Sequence, residues 1–415
     1  MDYAFKDGLL LINISAIQAV ALAAITYYFG TWLKKRIPVL ERFGIPSPVV
    51  GGMIFALVLS VLEGNGIMKV NFDSSLQTLL MLAFYTTVGL MASLKLITQG
   101  GKLLLGFLIA SAVLCVIQNF LGMGIAGFMG LDPHYGILAG SVSMMGGLGT
   151  AAAFGPYFET TYGITGGTAV GITSATFGMV AALAIGGPFG EWLIRRYKVQ
   201  TPKKVGEPEP QLHLPKDMET GLVPGSAVKE PKMNDEIMKA GTVVAICVAL
   251  GAVVSSFLGN YITLPAYIGS MIVAAIIRNI GDFTDAYHVQ GKGLDCIADI
   301  SLVLYVTMAI NSLKLYELVN LAVPMMVILA AQTILMLVFA WTILFTLFGR
   351  SYDSVMLTVG GIGFSMGATV NGLANMQSLG EKYGTSPKAW LIVSIVGAFL
   401  IDFINALVIT YLGAL

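Results

Sequence analysis

Long apolar runs separated by short polar stretches dominate the chain. A helix needs about 20 apolar residues to cross a bilayer hydrocarbon core of roughly 30 Å. Runs of comparable length occur in two sets of five. They cover residues 9–29, 46–63, 75–93, 103–129 and 166–190, and then 238–258, 264–280, 295–312, 319–348 and 388–412. The pattern predicts an all-α polytopic membrane protein.

A glycine-rich apolar segment lies between the fourth and fifth run of each set, at about 136–156 and 357–378. Each glycine inside a helix costs close to 1 kcal/mol relative to alanine, so an unbroken helix is disfavoured. We expect a re-entrant hairpin in each segment, with two half-helices meeting at an unwound tip. Irregular backbone of this kind survives at membrane depth only where protein or a watery cavity covers it. The alternative is close helix packing through small residues.

A hydrophilic stretch at 195–236 separates the two sets of runs. It contains six prolines interleaved with Lys, Glu and Asp. Such a composition cannot bury a core and is typical of an extended linker. The predicted organisation is a first membrane repeat at 1–194, this linker, and a second membrane repeat at 237–415.

The two halves share landmarks at one offset of 219 residues. The string Ser-Leu-Lys-Leu occurs at 93–96 and again at 312–315, and Gly130, Thr150 and Gly178 also meet identical residues at this offset. Because each half has an odd number of predicted spans, the halves would be antiparallel in the membrane. Inverted-topology repeats of this kind are typical of secondary transporters.

Charge sets the predicted orientation. The chain has 415 residues, 56% hydrophobic and 11% charged, with a net charge of zero, so it has no basic surface for nucleic acid. If the N-terminus is outside, only Lys6, Lys69 and Lys314 of the 23 basic residues fall outside. Cytoplasmic loops carry an excess of Lys and Arg. We therefore expect both termini outside and the linker in the cytoplasm.

Polar groups at membrane depth indicate candidate chemistry. Asp402 lies mid-run with Asn405 nearly one turn away. A carboxylate at that depth is costly, and it could ligate a cation, pair with a substrate ammonium or carry a proton. The alternative is a structural hydrogen bond to a neighbouring helix. Half-helix N-termini at the expected tips would attract carboxylates, whereas freed carbonyls with Ser, Thr and Asn oxygens would suit a monovalent cation.

Other functional classes lack their motifs. The chain has no phosphate-binding loop, no metal-ligand cluster and no nucleophile–base pair, so we expect neither an enzyme nor a bound cofactor. An ion channel is the alternative from another class, although the runs have few polar residues with which to line a pore.

A set of short strings resembles the bacterial sodium/glutamate symporter family over nearly the whole chain. The strings lie at 43–52, 70–73, 80–84, 130–133, 139–141, 146–150, 367–369, 374–377 and 396–399 with Asp402. The resemblance implies a homodimeric carrier of the inner membrane with two re-entrant loops. It implies sodium-coupled import of glutamate, and an elevator-type architecture shared with 2-hydroxycarboxylate transporters.

The resemblance also implies site residues at the two tips. Those for the substrate are Ser141, Ser143, Gly147, Gly149, Thr150, Ser365, Gly367, Thr369 and Asp402. Those for sodium, the coupling ion, are Gly146, Gly363, Asn371, Asn375 and Asn405.

The chain departs from the family pattern beside the expected site. Leu148 stands where the family usually has histidine, Ser365 where glycine is expected, and Val370-Asn371 where Pro-Thr is usual. Another acidic amino acid or a small dicarboxylate therefore stays open as the substrate, and so does proton coupling in place of sodium.

Overall fold

The structure, a computed structural model, describes residues 2–6, 9–42, 44–202, 233–258, 265, 267–285, 287 and 291–415. The described chain is almost entirely helical. The α-helices are α1 Ala16–Arg36, α2 Pro38–Arg42, α3 Ser47–Gly64, α4 Ser75–Met91, α5 Leu94–Phe128, α6 Pro133–Ile137, α7 Gly147–Tyr162, α8 Gly167–Tyr197, α9 Met233–Leu258, α10 Tyr267–Thr284, α11 Lys292–Asn311, α12 Ala322–Phe339, α13 Tyr352–Ser365, α14 Thr369–Tyr383, α15 Pro387–Ile395 and α16 Ile401–Gly413.

Shorter helical forms extend several of these helices. A π-helical turn follows α6 at Leu138–Val142, a second follows α12 at Ala340–Leu347, and a third joins α15 to α16 at Val396–Leu400. A 3-10 helix at Leu315–Leu321 precedes α12. Helical structure therefore covers most of the described part of each predicted membrane run, apart from the start of the first.

A small sheet near the N-terminus was not predicted. Strand β2, Leu9–Ile14, pairs antiparallel with β1, Asp2–Lys6, and parallel with β3, Met68–Phe72. The prediction of a first membrane helix from residue 9 was therefore wrong at its start. The helix begins at Ala16, where the Gln18 side chain accepts the Ser15 N–H at 3.1 Å. The apolar residues before it satisfy their backbone groups with neighbouring strands instead.

Several helices can cross a membrane by length and composition. Within the described ranges, seven such helical stretches occur. They are Ala16–Arg36, Ser47–Gly64, Gly101–Phe128, Gly167–Tyr197, Met233–Phe257, Lys292–Asn311 and Leu315–Leu347. This confirms a polytopic helical membrane protein. Most of the predicted linker, residues 203–232, lies outside the described residues, and α8 and α9 reach into the two ends of its predicted range.

The helices pack into two groups. The six-helix group consists of α1, α3, α4, α9, α10 and α11, in which α10 packs between α4 and α9, and α11 packs on α1, α3 and α4. The break-bearing group consists of α5 to α8 and α12 to α16, with α7 on α8 and α13 on both α8 and α14. Each predicted half contributes to both groups, so the halves are interlocked rather than side by side.

Candidate functional site

Helical structure is interrupted within both glycine-rich segments. The first break, Met145–Gly146, separates α7 from the helical residues that continue past the π-helical turn at Leu138–Val142 to Met144. The second break, Met366–Ala368, separates α13 from α14. Both breaks lie within the segments predicted to unwind, at 136–156 and 357–378.

The two breaks meet in space. Gly147 has φ +62°, and a Cβ atom built on it would lie 2.5 Å from the Gly367 carbonyl oxygen, so the chain approaches more closely than a side chain would allow. Gly178 of α8 packs directly on the Met366 carbonyl on the other side of the second break. Helices α7 and α14 therefore begin at one place, and the partial positive charge of both N-termini is concentrated there.

Polar side chains hold the backbone ahead of the first break. The Asn405 amide donates to the Ser141 carbonyl at 3.0 Å, and the Asn119 side-chain oxygen accepts the Ser141 N–H at 3.0 Å. The Asn405 side-chain oxygen in turn accepts from the Cys115 thiol at 2.9 Å. All four residues are buried. Asn405, predicted as a sodium ligand, is thus occupied at both ends in positioning the first break.

A glutamine pair holds the second break. The Gln118 amide donates to the Ser365 carbonyl at 3.0 Å, and the Gln332 amide donates to the Gln118 carbonyl at 2.7 Å. Both glutamines are fully buried. A residue of α5, from the first half of the chain, therefore supports the break in the second half, just as Asn405 supports the break in the first.

The asparagines of α14 anchor that helix on α8. The Asn371 amide donates to the Met179 carbonyl at 3.1 Å, and the Asn375 amide donates to the Ala182 carbonyl at 3.0 Å. Asn371 lies next to the second break, whereas Asn375 lies one turn further along α14. Of these two predicted sodium ligands, only Asn371 is therefore placed beside the meeting point of the breaks.

The hydroxyl groups that were predicted to bind substrate differ in their hydrogen bonds. The Ser143 hydroxyl donates to the carbonyls of Leu138 and, at 2.7 Å, Gly171, and the Thr369 hydroxyl donates to the Gly397 carbonyl. The buried Ser141 hydroxyl lies beside the Cys115 thiol. Ser143 and Thr369 thus brace the local backbone, whereas no nitrogen or oxygen atom of the described residues binds the Ser141 hydroxyl.

Three tyrosines of the six-helix group face the first break. Tyr85, Tyr267 and Tyr305 are 2%, 0% and 0% exposed, and the rings of Tyr85 and Tyr267 stack with centroids 3.9 Å apart. The Tyr85 hydroxyl donates to the Thr150 hydroxyl at 3.3 Å. Within the described residues the Tyr267 hydroxyl has no hydrogen-bond partner. The Tyr305 hydroxyl lies beside that of Tyr85 and would lie 2.9 Å from a Cβ built on Gly149.

Sequence reasoning missed these tyrosines and Gln332. The available signal was their position, since each is a hydrogen-bonding side chain inside an apolar run. Their common location depends on helices that are distant in the chain, which periodicity does not show.

Asp402 lies at the same place. It is largely buried at the start of α16, and in the described part of the chain it has neither a hydrogen bond nor an ion pair. It lies near the hydroxyls of all three tyrosines. The buried Arg278 does not neutralise it, because its guanidinium pairs with Asp282 at 2.9 Å. An uncompensated carboxylate in such surroundings is a strong site for a positive charge.

The family model and the similar proteins all indicate the same family. Residues 12–385 match the family described as "Sodium/glutamate symporter". The chain is 37% identical over 403 residues to a sodium/glutamate symporter of Escherichia coli (strain K12), which covers 96% of this chain and 97% of that relative. It is 36% identical over 393 residues to a sodium/glutamate symporter of Haemophilus influenzae, which covers 94% of this chain and 95% of that relative. These relatives are transporters, which confirms that the chain is not an enzyme.

Proposed function

Because the chain belongs to the sodium/glutamate symporter family, we propose that it imports glutamate across the cytoplasmic membrane together with sodium ions. The observation that carries this proposal is the meeting of the two breaks, with Gly147 against the Gly367 carbonyl. It provides, in one place, the free N–H groups and carbonyls that an amino-acid anion and a sodium ion need. Sodium is the coupling ion here, and no other cofactor is implied.

In this proposal the substrate carboxylates lie against the N-termini of α7 and α14. N–H groups in the first turn of a helix have no intrahelical partner and favour negative charge. The Ser141 and Thr150 hydroxyls add donors beside the first break, and Ser365, Gly367 and Thr369 form the opposing wall. No lysine or arginine is needed for this arrangement.

The positively charged ligands are proposed to bind on the other side of the same site. Asp402, which has no hydrogen bond or ion pair with the described residues, attracts the substrate ammonium or a cation. The carbonyls of Gly146, which accepts the Thr150 N–H only at a long 3.4 Å, and of Gly363 are proposed sodium ligands together with the side-chain oxygen of Asn371. Asn375 and Asn405 contribute by holding the two breaks in register, as their hydrogen bonds to the Ala182 and Ser141 carbonyls indicate.

Alternating access is proposed to arise from movement of the break-bearing group against the six-helix group, in the manner of an elevator. Two features support this: the breaks and their supports all belong to one group, and the tyrosines that face them belong to the other. We further propose that the halves 1–194 and 237–415 are inverted repeats, with both termini outside, the linker in the cytoplasm and a homodimeric assembly.

The decisive experiment is uptake of labelled glutamate into proteoliposomes under an inward gradient of sodium, of protons or of neither. Saturable uptake with sodium alone is expected. Uptake with protons alone would contradict sodium coupling, and unsaturable flux would indicate a channel. Competition by aspartate and small dicarboxylates then tests the substrate, because Leu148 stands in the first turn of α7 where the family usually has histidine.

A further inference from the structure

Besides the crossing from α8 to α9, the chain crosses between the two helix groups at two short connectors. The first connector, Ala92–Ser93, joins α4 to α5, and the second connector, Ser312–Lys314, joins α11 to the 3-10 helix at Leu315–Leu321. If one group moves against the other, these connectors must absorb the motion. What holds them therefore sets the point about which the break-bearing group pivots.

The first connector is clamped by Asn279 of α10. The Asn279 side-chain oxygen accepts the Leu94 N–H at 2.8 Å, and its amide donates to the Ala92 carbonyl at 2.8 Å. Leu94 is the first residue of α5, so its N–H has no partner within the helix. The adjacent Ser93 hydroxyl donates to Asp282, whose carboxylate is fixed by the nearly buried ion pair with Arg278.

The second connector is clamped by Ser60 of α3. The buried Ser60 hydroxyl accepts the Leu315 N–H at 2.9 Å. Leu315 is the first residue of the 3-10 helix, so the bonded group is again the first N–H of the helix that leaves the connector. The preceding helix is tied nearby, since the Asn311 amide donates to the Thr26 hydroxyl at 3.0 Å.

The two clamps are reciprocal. Ser60 and Asn279 are separated by the same 219 residues that relate the two Ser-Leu-Lys-Leu strings. Each lies on the second predicted membrane run of its half, and each binds the connector of the opposite half. A hydrogen bond made merely for local helix capping would not need a residue from the other half of the chain in both cases.

We propose that Ser60 and Asn279 are positioning residues that fix the two pivots of the transport cycle on the six-helix group. The proposal rests on the alternating-access function proposed above. The clamps stay closed while the helices beyond them reorient, so they determine how fast the break-bearing group moves and leave the substrate site at the breaks unchanged.

Transport kinetics of Asn279→Ala and Ser60→Ala test this, in full-length protein in proteoliposomes. We expect the maximal uptake rate per folded protein to fall about tenfold in Ser60→Ala, which removes one hydrogen bond at a connector, and at least tenfold in Asn279→Ala, which removes two. The KM for glutamate should stay within about twofold, because the clamps do not touch the site. Ser60→Thr keeps an acceptor hydroxyl and should restore most of the rate.

Matched controls are Asn65→Ala and Ser111→Ala, whose side chains bond only to carbonyls of their own helices. Clamp variants with rates equal to those of the controls, or with raised KM and unchanged maximal rate, would overturn the proposal.

Hydrogen exchange at 92–96 and 312–317 separates this proposal from the transport function, since it needs no glutamate. Both segments should be protected in the wild type and exchange faster in the respective variant. Protected segments in a protein that shows no glutamate uptake would contradict the proposed function but still support the clamps. Rapid exchange of both segments in the wild type would contradict the proposed clamps, even if glutamate uptake were observed.

Discussion

Replacing Gly147 by alanine tests whether transport needs the direct contact between the two breaks. A Cβ at this position would lie 2.5 Å from the Gly367 carbonyl oxygen, and ordinary contact begins at 3.4 Å. Neither atom is at the end of a flexible side chain, so the breaks must separate. The structure implies a displacement of about 0.9 Å, the difference between these distances.

Two effects contribute, and a matched variant separates them. Gly147 has φ +62°, a conformation that costs alanine about 1–2 kcal/mol. Gly163 has φ +71°, but a Cβ there would meet no atom within 4 Å. Gly163→Ala therefore has the same backbone strain without the collision. Misaligning one donor to a charged carboxylate costs about 1.5–3 kcal/mol, which corresponds to about 10- to 150-fold in affinity.

The measurement is the KM for sodium-driven glutamate uptake, with the melting temperature of each variant as the measure of folding. Both variants should melt at a lower temperature than the wild type. Only Gly147→Ala should raise the KM, by about 10-fold or more if one charge-assisted hydrogen bond is lost. Equal KM values for the two variants would refute the reasoning, because contact between the breaks would then be irrelevant to binding.

Four further outcomes follow from the structure. Asp402→Asn should weaken the dependence of uptake on sodium or raise the KM for glutamate, and unchanged values of both would show that this carboxylate meets neither ligand. Asn405→Ala leaves the buried Ser141 carbonyl without its donor and should lower the free energy of unfolding by about 1–3 kcal/mol in a denaturation experiment. Leu148→His should change the ranking of glutamate, aspartate and small dicarboxylates in competition assays, whereas an unchanged ranking would show that this position does not select the substrate. Hydrogen bonds from Ser75 lower the pKa of Asp73. The stability that the ionised Asp73 carboxylate adds is therefore present above its ordinary pKa of 3.8 and is lost as the pH falls through the lowered value. The melting temperature of Asp73→Asn should accordingly fall less steeply with decreasing pH than that of the wild type.

The positions of the helices and breaks were largely predictable from the chain. Apolar run length predicts membrane helices because the bilayer imposes one length on all of them. Glycine content predicted the two interruptions, and both lie inside the predicted segments. The first helix begins later in the chain than predicted, because an apolar run such as Leu9–Ile14 fits a strand as well as a helix. Only pairing with Met68–Phe72 decides between the two.

The roles of the polar residues were less predictable. Asn405 was a reasonable ligand by type, yet its two ends bond the Ser141 carbonyl and the Cys115 thiol. Tyr305 lies at the site because α11 packs on α7, and Tyr267 lies there because its ring contacts Tyr85 and Phe154. Such pairings are decided by tertiary contacts between distant segments, and no local periodicity encodes them.

The support of each break by a residue from the opposite half of the chain also has a consequence for biogenesis. Asn405 and the Ser141 carbonyl that it binds are 264 residues apart. At about 5–20 residues per second, a ribosome needs roughly 13–53 s to make that interval. During this time the Ser141 carbonyl lacks the donor that it binds in the folded protein. We therefore expect the nascent first half to depend on the insertion machinery or on lipid headgroups for temporary hydrogen bonds. Maturation of the carrier would then end with the docking of α16 and not with the insertion of the individual helices.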